Sequence, residues 1–228
     1  MSGEQSPGWA VLSDMDGTLL DTEATWLGAV ERFVHDHLPS GRATADASGL
    51  VAASEGLDLV RTAALLRDRL DLPSDLDTVA RELDRRALAS YGAEIPWQPG
   101  ARRLLTEFAA AGIPLALVTS SPRHWVEHFA QHVDLSLFRA SITADDAPRT
   151  KPAPDPYLLG ASALGMPPDR CLVLEDSLVG ASAAVAAGCP TLVVGDLHRA
   201  LPPGVHRTAS LTEVDVSTVL AIVRAPVS

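Results

Sequence analysis

The chain has 228 residues, 46% hydrophobic and 21% charged, the balance of a soluble globular protein with room for one core and a smaller insertion. Its 29 acidic and 18 basic residues give a formal charge of −11, which argues against a general nucleic-acid surface, because phosphate contacts need clustered lysine and arginine. No apolar run is long enough to span a bilayer, and the opening MSGEQSPG lacks the basic start and apolar stretch of a signal peptide, so a cytoplasmic protein is expected.

The first strand-like run covers 9–13 (WAVLS), and others follow at 114–118 (PLALV), 140–143 (ASIT), 171–174 (CLVL) and 191–195 (TLVVG). Runs this short, rich in Val and Leu and without alternation, suit strands buried on both faces. Helical patterns lie between them, such as 100–111 (GARRLLTEFAAA), which Gly112 closes. The alternation predicts an α/β fold: a Rossmann-like, doubly wound parallel sheet with right-handed crossovers. One interval breaks the rhythm. From 22 to 91 only helical stretches occur, among them 57–70 and 78–90, and IPWQPG at 95–100 marks the return to the sheet. The expected organisation is a core domain of 1–21 and 92–228 with a helical domain of 22–91 inserted after the first strand. Cys171 and Cys189 have neither metal-ligand nor redox spacing and read as two buried free thiols.

In open parallel sheets ligands bind beyond the carboxyl ends of the strands. The first run ends in Asp14-Met15-Asp16-Gly17-Thr18. Two carboxylates this close resist joint ionisation unless a cation lies between them or one keeps its proton; alone, the string also reads as a turn. The second run ends in Thr119-Ser120-Ser121-Pro122, where Pro122 suits the first helical position with Ser121 as its cap, an anion site in outline. Lys151 follows in a proline-rich loop (RTKPAPDP) whose prolines fix its path, with Asp155 as a helix cap. Glu175-Asp176-Ser177 ends the fourth run, and adjacent acids there suit an oxygen-ligand magnesium site or, more plainly, the start of a helix. Singly, three of these four are weak; together, each at the end of a separate strand, they make one site.

In this set and order the chain resembles the haloacid dehalogenase superfamily, in its phosphatase and phosphomutase branch. Asp14-Met15-Asp16-Gly17-Thr18 is similar to the first motif, Thr119 to the second, Lys151 to the third and Glu175-Asp176 to the fourth. The interval after the first motif resembles the helical cap of the first type. The resemblance implies that Asp14 attacks phosphorus and that Asp16 protonates the leaving oxygen and then activates water. It implies that Thr119, the Ser120 N–H and Lys151 hold the phosphoryl group. Mg2+ would be bound by Asp14, the Asp16 carbonyl and Asp176, with Glu175 a direct or water-mediated ligand. A dehalogenase would not need Asp16.

The expected activity is therefore hydrolysis of a small phosphomonoester, such as a sugar, polyol or glycolate phosphate. The expected partner is that metabolite alone, with no nucleic acid or membrane, and the enzyme a monomer or weak homodimer. A sugar phosphomutase is the alternative; its cap histidine falls at Trp26 here, with His35 and His37 further on, which favours hydrolysis. A phosphonate-cleaving enzyme would need a cap lysine, and Lys151 is the chain's only lysine. A binding module that lost catalysis would not be expected to keep Asp14, Asp16, Lys151 and Asp176. The cap should close over the site and supply leaving-group contacts. Candidates by position are Glu23, Trp26, Arg42, Arg61, Arg123 and His124.

Overall fold

The computed structural model describes residues 8–38, 44–92, 94–195 and 200–224. Among them, one sheet contains β1 (Ala10–Ser13), β2 (Leu115–Val118), β3 (Ala140–Ile142), β4 (Cys171–Glu175), β5 (Thr191–Val194) and β6 (His206–Thr208). The order is β3-β2-β1-β4-β5-β6, and every neighbouring pair is parallel. The Rossmann-like reading is borne out. Every residue of β1, β2 and β4 is buried, which is why these strands carry unbroken apolar runs. β6 escaped the sequence because it is a polar edge strand, His206-Arg207-Thr208, with no apolar run to announce it.

The chain divides into two compact units, 1–21 with 96–228, and 22–95. The second unit holds α1 (Glu23–His37), α2 (Thr44–Ala53), α3 (Leu59–Arg69) and α4 (Leu76–Leu88). Its core gathers Val30, Phe33 and Val34 from α1, Ala63 and Leu66 from α3, and Val79 and Leu83 from α4. These sit at three- and four-residue spacings, so each helix turns one apolar stripe inward. Asp58 and Asp75 cap α3 and α4 by accepting from the N–H groups of Arg61 and Thr78, at 2.8 and 2.7 Å.

The first unit adds α5 (Ala101–Ala110), α6 (Arg123–Phe129), α7 (Asp155–Ala163), α8 (Leu178–Ala186) and α9 (Val216–Arg224). α5 buries Ala101, Leu104, Leu105 and Phe108, and Gly112 ends it in the left-handed region, as its sequence implied. α7 and α8 pack on the sheet through Tyr157, Ala161, Ala183 and Ala184, against Leu12, Val118 and Val173. Full burial of each large apolar side chain there contributes about 1.5–3 kcal/mol. Cys171 and Cys189 lie in this same cluster as free thiols, and burial pushes their pKa values up to about 11 and about 12. No helix among the described residues is long and apolar enough to cross a membrane.

The strand order reverses between β1 and β4. Their carboxyl ends therefore flank the crevice where ligands bind in such sheets, and both ends carry acids: Asp14 after β1, and Glu175 and Asp176 at β4.

Candidate active site

Asp14 leaves β1 with its N–H bonded to Leu174 O at 2.9 Å, so the adjacent strand fixes where its carboxylate starts. The turn that follows is closed by the N–H groups of Leu19 and Leu20 on Met15 O and of Gly17 on Leu20 O. Gly17 has φ +76°, and a Cβ there would lie 2.0 Å from Asp176 Oδ2. Only glycine meets both the dihedral and the close approach. Thr18 then donates to Asp176 Oδ1 at 3.1 Å, joining the β1 and β4 ends.

Lys151 sits at the centre. Its ammonium donates to Asp14 Oδ1 at 2.6 Å, Glu175 Oε1 at 2.7 Å and Val118 O at 2.9 Å, and the residue is only 4% exposed. An ammonium has three protons, and these three bonds use them all. The chain's only lysine is thus no solvated loop residue. It is a buried countercharge shared by two carboxylates, with its third proton on the Val118 carbonyl. Burial disfavours the charged amine, but Asp14 and Glu175 outweigh it and hold the Lys151 pKa above the ordinary lysine value.

Glu175 is organised by five hydrogen bonds. Oε1 accepts from Lys151 and from the Tyr157 hydroxyl at 2.6 Å; Oε2 accepts from the Ser177 hydroxyl at 2.9 Å and the N–H groups of Asp176 and Ser177 at 3.1 and 3.2 Å. Ser177 also caps α8, accepting from Gly180 N at 2.9 Å. Burial would raise the Glu175 pKa, yet Lys151 and these donors pull it below the ordinary glutamate value. Asp14 goes the other way: burial raises its pKa, Lys151 offsets part of this, and Glu175, Asp176 and Asp16 add to the rise. Tyr157 was not singled out by sequence; an aromatic in an apolar helix face reads as core. Its ring lies 4.9 Å from Lys151 Nζ, and its hydroxyl pKa is raised by burial and by Glu175 and Asp14.

Asp14, Glu175 and Asp176 each offer a carboxylate oxygen, all within 4.8 Å of one another. One lysine does not neutralise three acids, and Asp14 remains electrostatically strained in its ionised form. Hard oxygen donors at this spacing fit a divalent cation. Asp14 and Asp176 supply the more accessible lone pairs, because those of Glu175 already accept five donors.

Asp16 is met from β2. Ser121 Oγ donates to Asp16 Oδ2 at 2.8 Å and Thr119 Oγ1 to the same oxygen at 3.2 Å, while Ser121 N–H donates to Thr119 Oγ1 at 3.0 Å. Ser121 was expected to cap a helix begun by Pro122. Instead α6 begins at Arg123 with Pro122 as its cap residue, and the Ser121 hydroxyl is spent on the acid. Ser120 is half-buried beside Thr119 at the end of β2. Asp155 likewise is the first residue of α7 rather than its cap, and pairs with Arg149 at 2.8 Å.

Of the leaving-group candidates, Arg123 is otherwise engaged: its guanidinium bonds Ser141 Oγ, Ser141 O and Asp146, bracing the loops after β2 and β3. His124 is exposed on α6. Within the helical unit Trp26 is half-buried against the apolar core, Glu23 is exposed in the first turn of α1, and Arg61 pairs with Asp58 at 3.5 Å. His37 stacks on Phe33 with ring centroids 4.2 Å apart, and His35 faces Glu31 at 3.9 Å. Arg42 lies outside the described residues.

A family model described as haloacid dehalogenase-like hydrolase matches residues 10–188. The chain is 31% identical over 187 residues to hexitol phosphatase A of Escherichia coli, covering 80% of this chain and 81% of that protein. It is 33% identical over 208 residues to a probable pseudouridine-5'-phosphatase of Drosophila melanogaster, covering 88% and 87%. Among solved structures, CbbY from Rhodobacter sphaeroides in complex with phosphate superposes with a TM-score of 0.74 at 26% identity, over 92% of this chain and 98% of that one. The matched span runs from the first residue of β1 through α8 and so takes in every strand end that builds the acidic cluster, which makes the chain a member of the haloacid dehalogenase-like hydrolases.

Proposed function

We infer that this hydrolase is a magnesium-dependent phosphatase of small phosphomonoesters, with a sugar, polyol or glycolate phosphate as substrate. The observation that carries the reading is the buried Asp14 carboxylate, paired to Lys151 at 2.6 Å and lying within 4.8 Å of carboxylate oxygens of Glu175 and Asp176. The phosphatase names of the relatives support the reaction class, and hexitol phosphatase A supports a polyol phosphate.

In this reading Asp14 is the nucleophile. One of its oxygens forms a bond to phosphorus as the ester P–O bond breaks, and the electron pair passes to the alcohol oxygen. Asp16 gives that oxygen its proton, and the alcohol leaves. Water then attacks the aspartyl-phosphate, returns a proton to Asp16 and releases phosphate and the Asp14 carboxylate. Splitting the displacement in two lowers each barrier, and positioning with charge neutralisation does the rest. Thr119, the Ser120 N–H and Lys151 are assigned to the phosphoryl group; for Lys151 this requires exchanging one of its three present partners. Asp14, the Asp16 carbonyl and Asp176 would hold Mg2+, with Glu175 beside them. When bound, the ion supplies positive charge to the phosphoryl oxygens.

Residues 22–91 are assigned as the cap domain of a core formed by 1–21 and 92–228, with Glu23, Trp26 and His124 as the candidates for leaving-group selection. The enzyme is assigned as a cytoplasmic monomer or weak homodimer. The test is a panel of phosphate esters with Mg2+, ranked by kcat/KM, run on wild type and Asp14→Asn. Wild type is expected to release phosphate from polyol, sugar or glycolate phosphates, and Asp14→Asn to be inactive on all. A variant with near-normal rate, free of wild-type contamination and deamidation, overturns the nucleophile assignment. Interconversion of sugar phosphate isomers without phosphate release would point to a mutase instead.

A further inference from the structure

We propose that His128 and His132, one turn apart at the carboxyl end of α6, form a binding site for a borderline divalent cation of the zinc class, built from residues outside the acidic cluster. The inference does not depend on the phosphatase reading.

α6 turns Trp125, Val126 and Phe129 into the core. His128 lies half-buried beside them, and its Nε2 is buried with no hydrogen-bond partner among the described residues. Whether that nitrogen carries the ring's proton or its lone pair, burying it unpartnered costs about 1–3 kcal/mol. Groups of this kind are few in native proteins and call for a water or an ion. A buried water needs two to four polar partners. The rings recorded against His128 are Phe129, with centroids 5.9 Å apart, and His132, at 5.2 Å. The phenyl ring offers a water nothing, whereas an ion bonded directly to both imidazoles needs only the lone pairs they carry.

The backbone holds the two histidines on one side. Beyond α6 the chain keeps turning, with the N–H groups of His132 and Val133 on Phe129 O at 2.8 and 2.9 Å. Histidines four residues apart on such a turn are neighbours, the spacing that helical zinc sites use. With each nitrogen about 2.0–2.1 Å from a tetrahedral ion, the centres of its two imidazoles stand roughly 5 Å apart. The observed 5.2 Å, with the ring planes at 63°, meets that separation. His132 is exposed, which gives the ion an entry path and leaves its ring room to turn a nitrogen toward Nε2. The carbonyl ends of the last helical turn add a favourable field for a cation. Imidazole donors suit zinc, copper or nickel and not Mg2+, which takes oxygen ligands. Water completes the shell, so binding is expected to be weaker than at a closed four-ligand site.

The experiment titrates the nitrogen-15-labelled full chain with Zn2+ in an excess of Mg2+ and follows the imidazole nitrogens in long-range proton–nitrogen spectra. It is run at about pH 7.5, above the ordinary histidine value of about 6.5, so that the rings are neutral. Two rings should shift together and saturate. His128→Ala and His132→Ala should each remove one of these signals. Each should also weaken Zn2+ by at least the about 10–100-fold that losing a supporting partner costs a metal site. Because His132 is exposed, its variant tests the site without disturbing the core. His206→Ala, which removes a histidine of β6, should leave both shifts in place. Absence of a saturable shift, or an affinity unchanged in His132→Ala, would overturn the site. Loss of the shifts in Asp176→Asn would overturn it too, by assigning the ion to the acidic cluster.

Discussion

Gly180→Ala should destabilise the protein, although the same change in an ordinary helix stabilises it. Gly180 lies within α8, where alanine is favoured over glycine by about 1 kcal/mol. A Cβ at this position would stand 1.7 Å from Glu175 Oε1 and 1.9 Å from its carboxyl carbon, so the carboxylate must move. Glu175 is 1% exposed, and displacement breaks its bonds to Lys151, Tyr157 and Ser177 in a place where water cannot replace them. Disrupting a buried charged pair typically costs about 3–5 kcal/mol. Subtracting the helical gain of about 1 kcal/mol leaves a net loss of about 2–4 kcal/mol. Urea unfolding of wild type, Gly180→Ala, Glu175→Ala and the double variant measures it. If the clash is with the carboxylate, Gly180→Ala should be neutral or stabilising once Glu175 is alanine, a coupling visible as strong non-additivity. A Gly180→Ala protein as stable as wild type, or additive effects in the cycle, would refute the reasoning.

The same cluster sets three further outcomes. Tyr157→Phe keeps the ring beside Lys151 but removes the hydroxyl donated to Glu175; losing a hydrogen bond to a charged group should lower stability by about 1.5–3 kcal/mol, read by urea unfolding. Chelation should abolish phosphate release and added Mg2+ restore it. A saturating excess of Mg2+, about a hundredfold over Kd, should stabilise the wild-type fold by about 2.7 kcal/mol, and Asp176→Asn should weaken that shift in a thermal melt carried out without substrate.

Much of the fold was legible because central strands buried on both faces must be continuously apolar: β1, β2 and β4 fell within a residue of their expected bounds. β6 carries no such constraint at the sheet edge. The site's membership was legible too, since acids, hydroxyls and one lysine recur at strand ends where apolar runs stop. Their partnerships were not. Sequence cannot say that Ser121 faces an acid 105 positions away rather than capping its own helix, because local and long-range hydrogen bonds use the same hydroxyl. Nor can it say that Arg123 meets Ser141 and Asp146. Trp26 packs in part against the helical core, a partnership that its position after Asp14 does not announce. Tyr157 was hidden by its apolar neighbours, and only the fold sets its hydroxyl against Glu175.

The placement of β1 has a consequence for how the chain is made. Among the described strands it is the first to be synthesised and one of the two central ones, hydrogen-bonded to β2 on one side and β4 on the other. Lys151 reaches Asp14 across 137 positions and Asp176 reaches Thr18 across 158. At about 5–20 residues per second, a ribosome needs roughly 8–30 s to span the longer interval. Until that interval is complete β1 lacks its β4 neighbour, and Asp14 lacks the opposite wall of its site. In the proposed mechanism catalytic competence therefore arrives late, when β4 docks, and a truncated product ending before it is expected to be inactive.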